Sequence, residues 1–217
     1  MKVFRIKRVF ASTYAKIFLL TTNVLILWSC NSKEFNNEEE LLRFIKDKEN
    51  GYTQHKITRE VDFELMYRPT DLFAKREIES LQSESGLSID SIRNKYNSYI
   101  YFNLSISKRN KELLSVVPKN SSEFSVLSNK LSFGMGESIF LITAAKDTLE
   151  MVDYLYPKMY GVSQSTSMLF VFDRDESKLK NQKLNFIIKD LGLDTGEVNF
   201  KVENNILNKE PRLVFKQ

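Results

Sequence analysis

Apolar positions in this chain recur at helical spacing through much of the first half and alternate through most of the second. Leu41, Phe44 and Ile45 follow Glu38-Glu39-Glu40 on one helix face, with Asn36 or Asn37 placed to cap the first turn. Acidic side chains there oppose the positive end of the helix dipole, and Gly51 supplies a left-handed stop. Strands are expected at Ile57–Arg59 and Val61–Tyr67, where Val61, Phe63, Leu65 and Tyr67 alternate with polar neighbours. Pro69 ends that run. Thr70 then caps a second helix carrying Ala74, Ile78 and Leu81, Ser83–Gly86 breaks it, and Ser88 caps a third carrying Ile89, Ile92, Tyr96 and Tyr99.

Ile100, Phe102, Leu104 and Ile106 alternate with Tyr101, Asn103, Ser105 and Ser107, the clearest strand in the chain. After a charged turn at Lys108–Lys111, Leu113–Val117 is expected to extend the sheet. A fourth helix runs from Ser121 or Ser122 to about Phe133, with Phe124, Leu127 and Leu131 inward and Gly134 and Gly136 closing it. Strands follow at Ser138–Thr143, Leu149–Tyr156, Ser167–Asp173, Leu184–Ile188 and Val198–Val202. The turns between them lie at Gly161, Asp173–Lys180, Gly192–Gly196 and Asn204–Pro211. Few β-α-β alternations occur. The expected class is therefore α+β: a mostly antiparallel sheet with helices, mainly from the N-terminal half, packed on one face.

One stretch obeys neither period. Lys2, Arg5, Lys7, Arg8 and Lys16 precede the almost wholly apolar run Ile17–Leu27, which ends on Leu27-Trp28-Ser29-Cys30. A basic start, an apolar core of about 7–15 residues and a small residue at the cleavage point define a secretory signal peptide. With cysteine next, the stretch resembles the leader of bacterial lipoproteins, whose lipobox is matched by Leu27, Ser29 and Cys30. The resemblance implies that residues 1–29 are removed and that Cys30 becomes the lipid attachment site. There it would carry thioether-linked diacylglycerol and an acylated amine, palmitate being the usual kind of chain. Several acyl chains would hold the protein firmly, where one gives only marginal membrane binding. The rivals are an uncleaved anchor, which needs roughly 20 predominantly apolar residues, and an ordinary helix with an incidental thiol. On the lipoprotein reading, 30–37 is a tether and 38–217 a single α+β domain. The partner so implied is membrane lipid, and the location is the cell envelope, at the outer membrane on its periplasmic or surface face.

The leader changes what charge means. It holds five of the 32 Lys and Arg and none of the 28 Asp and Glu, which leaves 27 basic against 28 acidic side chains. The formal +4 therefore gives no reason to expect nucleic acid. Cys30 is the only cysteine, so the body has neither a disulfide nor a Cys-based metal site. Trp28 is the only tryptophan, so a cleaved protein would show no Trp emission. Asn31–Glu40 reads as a solvated tether entering a helix. It also resembles, loosely, the export signals of surface lipoproteins in the Bacteroidota. Glu49-Asn50-Gly51 and Tyr67-Arg68-Pro69-Thr70-Asp71-Leu72 resemble segments of uncharacterised Bacteroidota lipoproteins, and imply no known activity.

Candidate chemistry in the body is sparse. His55 is the sole histidine, with no HExxH or GxSxG arrangement around it, and is expected to face solvent. Gly134-Met135-Gly136 lacks the Lys-Ser/Thr of a phosphate cradle and reads as a helix stop. Asp190, Asp194 and Glu197, with Gly192 and Gly196, loosely follow a calcium loop but carry Lys201 where the bidentate Glu belongs, so a β-turn is favoured. Asp173, Asp175 and Glu176 are carboxylates for a hydrolase reading, and favour a solvated turn. Asp147-Thr148-Leu149 and Asp90-Ser91-Ile92 fit the short Bacteroidota O-glycosylation pattern, provided they are exposed. Ser163–Ser167 with Tyr154, Tyr156 and Tyr160 could form a polar–aromatic surface for a sugar or protein. No catalytic residue, cofactor or metal is expected. The leading expectation is a non-enzymatic binding or scaffolding domain for a protein or glycan partner. Its rivals are a hydrolase using two of Asp147, Asp153, Asp173 and Asp175, and an immunity-type lipoprotein that sequesters a toxin.

Overall fold

A computed structural model of the chain describes residues 32–81, 88–119, 121–159, 161–180 and 182–215. In chain order these form β1 (Glu34–Phe35), α1 (Glu38–Lys46), β2 (Thr53–Thr58), β3 (Val61–Tyr67), α2 (Asp71–Leu81) and α3 (Ile89–Asn97). Then come β4 (Tyr99–Lys108), β5 (Lys111–Glu112), α4 (Ser122–Phe133), β6 (Ile139–Thr143), β7 (Thr148–Leu149) and β8 (Met151–Leu155). The last elements are β9 (Thr166–Asp173), α5 (Glu176–Leu179), β10 (Leu184–Ile188), β11 (Val198–Val202), α6 (Asn204–Asn208) and β12 (Arg212–Leu213). The fold is α+β and its sheets are mostly antiparallel.

Among the described residues three of the four expected caps form; the Thr70 hydroxyl takes no hydrogen bond from the turn it precedes. Asn37, Ser88 and Ser121 accept the N–H groups of Glu40, Ser91 and Phe124, each satisfying a donor that the first helical turn leaves open. Gly51 takes φ +79 as the stop of the turn after α1. Gly134 closes α4 for a different reason: its φ is ordinary, but an added Cβ would lie 3.2 Å from the backbone of Lys130. The break expected at Ser83–Gly86 lies outside the described residues.

The strands divide into two main sheets. One runs β2-β3-β4-β9-β8, with β5 continuing beside β4; the other runs β11-β10-β6-β7. Alternation explains why they face each other. Ile100, Phe102, Leu104 and Ile106 of β4 are buried on one side, as are Met168, Phe170 and Phe172 of β9 and Leu184, Phe186 and Ile188 of β10. Phe186 sits among Phe102, Phe170 and Phe172, with ring centroids 5.3, 6.0 and 6.0 Å away. On the other side of the first sheet, Phe73 of α2 stacks on Tyr101 at 4.1 Å. Ala74, Ile78 and Ile92 join α2 to α3 in a smaller core. At one side of the two-sheet stack, Gln54 donates to the Lys201 carbonyl at 2.8 Å and Lys56 to that of Asn199, linking edge strands β2 and β11.

Several expectations give way to tertiary contacts. Leu113–Val117 does not extend the sheet: Leu113–Ser115 is a 3-10 turn, because Leu113 N–H is taken by the Thr166 hydroxyl at 2.9 Å. Leu149–Tyr156 is not one strand, since it changes sheets at Glu150, whose carbonyl accepts from Asp173 N–H. Tyr99 opens β4 instead of closing α3, and β2 begins at Thr53, four residues before the expected start. Residues 176–179 and 204–208, expected as turns, are short helices, the first capped by the Asp175 carboxylate. β8 forms an outer edge and is blunted. Its register shifts between Met151 and Asp153, and the Asp153 carboxylate accepts the N–H of Tyr154 at 2.8 Å.

The β2–β3 hairpin turns on Arg59 and Glu60, both left-handed, with φ 48° and 66°. Two positive φ values suit Asn-Gly far better than these side chains. Arg59→Asn with Glu60→Gly is expected to raise the unfolding free energy by about 1 kcal/mol, read from the urea midpoint. The exposed Glu60–Arg109 pair lost in the process, 2.9 Å apart, is worth little.

Candidate functional site

The segment Tyr67-Arg68-Pro69-Thr70-Asp71 joins β3 to α2 and lies beneath the C-terminal strand. Pro69 cannot continue a ladder, so the chain turns, and the Thr70 carbonyl accepts from Phe73 and Ala74 to start the helix. Asp71, 3 % exposed, receives two hydrogen bonds of 2.9 Å from Arg93 of α3 and one of 2.7 Å from Leu213 N–H. Arg93 in turn donates to the Leu213 carbonyl at 2.7 Å. One ion pair thus satisfies both backbone groups of Leu213, as a neighbouring strand would. The opposite side of β12 pairs in parallel with β1, where Val214 N–H reaches the Phe35 carbonyl at 2.9 Å. The structure therefore places Glu34 and Phe35 of the expected tether in a strand.

A second buried carboxylate completes the network. Glu210 accepts the N–H of Thr70, acting as a cap from far along the chain, and lies 3.6 Å from Arg174, which donates to the Tyr67 hydroxyl at 3.2 Å. Burial pushes the Glu210 carboxyl above its ordinary value, against the opposing pull of Thr70 and Arg174. Burial also raises the Tyr67 phenol, with Glu210 adding to it, and brings Tyr52 up to about 12. The hydrogen-bonded Asp71 holds the Arg93 guanidinium above its ordinary range, whereas burial lowers that of Arg68. The Nε atoms of Arg68 and Arg174 are buried with no hydrogen-bond partner among the described residues.

Beside this network lies a cavity of about 340 Å³. Thr70, Asp71, Glu210 and Pro211 are its most buried lining residues. Asp90, Arg93, Asn94 and Asn97 line it from α3, on the single face that spacings of three and four residues create. Arg212 also lines it and is exposed. A perturbed carboxyl, that of Glu210, beside a cavity marks a candidate site.

Glu210 makes the site sensitive to pH. Its folded pKa lies above the ordinary 4.5, so its contribution to stability is complete below about pH 4.5 and is lost as pH rises through the folded value. Wild type is accordingly expected to lose stability relative to Glu210→Gln as pH climbs from about 4.5 towards neutrality, in urea titrations at several pH values.

Most residues singled out from sequence fall elsewhere, apart from Thr70 and Asp71 of the Tyr67–Leu72 segment and Asp90, which line the cavity. Cys30 lies outside the described residues. His55 is on the edge strand β2, where its Nε2 meets Glu64 at 2.8 Å and its Nδ1 lies 3.8 Å from Asp62. Asp190 accepts the N–H groups of Gly192, Leu193 and Gly196, the turn expected of it. Burial raises its carboxyl and those three donors outweigh it, leaving the pKa below the ordinary range. Among the described residues no group of three or more His, Cys, Asp or Glu is arranged to hold a metal ion. Asp175 caps α5 through Ser177, and Glu176 begins that helix. Asp173 ends β9, Asp194 lies in the loop after β10 with φ 57°, and Asp147 follows the turn after β6. Asp153 and Tyr154 line a separate cavity of about 450 Å³ with Glu150. Tyr154 also stacks on Phe170 at 5.9 Å, and Ser167 meets Ser105 across the strands at 2.8 Å. Tyr160 is outside the described residues. Thr148 and Ser91, the two glycosylation candidates, are exposed. Asp90, which precedes the second of those candidates, lines the charged cavity. Arg93, Arg174 and Glu210 were not marked from sequence; the available signal was Glu210 alone among apolar and basic neighbours near the C-terminus.

No protein-family model and no curated protein matches this chain. Among solved structures it is similar to the crystal structure of a DUF4426 family protein from Pseudomonas aeruginosa PAO1. The TM-score is 0.37 and the identity 10%, over 70% of this chain and 94% of that one. A likeness at that score carries no argument about fold or function.

Proposed function

We propose that the chain is a lipid-anchored cell-envelope lipoprotein whose α+β body is a non-enzymatic binding or scaffolding domain. The observation that carries the reading is the basic, then apolar leader ending on Cys30, only four residues before the compact unit that begins at Glu34. No helix among the described residues is long and apolar enough to cross a membrane. The reading assigns attachment to the lipidated cysteine on the strength of the leader. Two features support binding over chemistry. Asp71 and Arg93 hold each other and Leu213, an arrangement suited to a fixed framework. Val152, Leu155, Met159 and Val162 are exposed on β8 and the segment after it, apolar surface of the kind a protein partner covers.

Mass spectrometry of the N-terminal peptide from native membranes should find Cys30 acylated and residues 1–29 gone. Cys30→Ala should retain Trp28 emission, leave the membrane-anchored complex and lose the partners that wild type keeps in a crosslinked pull-down. A free thiol at Cys30 in wild type, with tryptophan fluorescence intact, would overturn the reading.

A further inference from the structure

The cavity beside the Asp71–Arg93 pair has a charge balance that selects its occupant. Asp71 and Arg93 neutralise each other at 2.9 Å and are further tied to Leu213. Glu210 likewise faces Arg174, which leaves one acid, Asp90, against one guanidinium, Arg212, on the exposed wall of the lining. Arg174 approaches Glu210 only to 3.6 Å and leaves acceptor capacity on its second oxygen. Asp90 is exposed, and the side-chain amides of Asn94 and Asn97 add carbonyl acceptors and N–H donors.

We propose that this cavity binds a small zwitterion, its protonated primary amine held by Glu210 and Asp90 and its anionic group by Arg212. An ammonium has three donors and no acceptor, which suits two carboxylates and an amide oxygen. A metal ion is the competing cation, but it needs several oxygen ligands converging on one point. Among the described residues no such cluster exists, and both Asp71 oxygens already accept hydrogen bonds. At about 340 Å³ the cavity is at the small end of the roughly 300–1,000 Å³ that ligand sites occupy, room for a headgroup or a single amino acid. Ligand binding favours ionised Glu210, so affinity rises with pH through the titration of that group.

Two sources could supply this chemistry, and the lipid source rests on the lipoprotein reading. Arg212 belongs to β12, which pairs with Glu34 and Phe35. Glu34 is four residues from Cys30, and four residues span at most about 14 Å. A lipidated Cys30 would therefore keep the start of β1 near the headgroups, and a phosphoethanolamine headgroup carries both charges. A free amino-phosphate or amino acid would present the same pair in solution.

The test is calorimetry on the full chain purified in a non-ionic detergent, with O-phosphoethanolamine as probe and ethanolamine and inorganic phosphate as controls. Phosphoethanolamine should bind, ethanolamine should bind more weakly, and phosphate should give no saturable signal. Asp90→Asn lies on the exposed wall, outside the ion-pair network. It should weaken phosphoethanolamine binding about tenfold or more while leaving the unfolding midpoint in place. Vesicles of phosphatidylethanolamine that compete with the probe, where phosphatidylglycerol vesicles do not, identify the headgroup as ligand; no competition identifies the free solute. Cys30→Ser should still bind the soluble probe, so loss of the anchor and loss of the site are separable. Phosphate binding as tightly as phosphoethanolamine, unaltered affinity in Asp90→Asn, or no binding by wild type would overturn the proposal.

Discussion

Asp71→Ala is expected to lower the free energy of unfolding by about 3–5 kcal/mol, the usual penalty for removing one partner of a buried pair. The size follows from what is left behind. Arg93, with its side chain 21% exposed, would keep its charge without a carboxylate, and Leu213 N–H would lose its acceptor. Replacing both members, as Asp71→Leu with Arg93→Leu, should cost less than the two single changes summed, because no isolated charge then remains. Urea unfolding followed by far-UV circular dichroism gives all the terms of that cycle. An Asp71→Ala midpoint close to wild type would show that the pair is not a structural clamp.

Phe186→Ala carries a comparable expectation by a different route, about 3–5 kcal/mol from lost transfer energy and the cavity left behind. Its ring is fully buried and touches Phe102, Phe170 and Phe172 of the opposing sheet. Those edge-on contacts contribute beyond area alone, about 0.5–1.5 kcal/mol for a pair. The substitution opens a void between two sheets, each held by its own hydrogen bonds, so the walls have little freedom to collapse. Phe186→Leu should recover part of the loss. Phe133→Ala, at a ring 82 % exposed, should stay within about 0.5 kcal/mol of wild type. The contrast between the two phenylalanines in thermal or urea unfolding checks the assignment of the core.

What was legible in the sequence is what local chemistry determines. Val61–Tyr67, Leu184–Ile188 and Val198–Val202 form strands over the residues their alternation marked, since one wet and one buried face is a property of the strand itself. Asn37, Ser88 and Ser121 cap because their side chains reach their own backbone. The failures at Leu113 and Glu150 are long-range, whereas the short helix after Asp175 follows from a local cap that a turn-rich stretch conceals. Nothing near Leu113 announces that Thr166 will take its N–H, and nothing at Glu150 shows that the strand leaves one sheet for the other. Which layer covers which face is likewise invisible to periodicity, so the division into two sheets was out of reach. The candidate site shows the same limit. Tyr67–Leu72 attracted notice as a motif, yet its partners Arg93, Arg174 and Glu210 lie in three other elements or loops. An isolated acid has no period, and only the fold shows which cation it meets.

The parallel pairing of β1 with β12 has a practical consequence. Two strands of two residues each close almost the whole body into a ring, with its ends side by side. Joining those ends by a short linker and opening the chain at the exposed Arg109-Asn110 turn gives a circular permutant that keeps every sheet contact except the small β4–β5 pairing. In that molecule a peptide bond shuts the ring, so β12 should stay beside β1 in Asp71→Ala even though Arg93 still lacks its carboxylate.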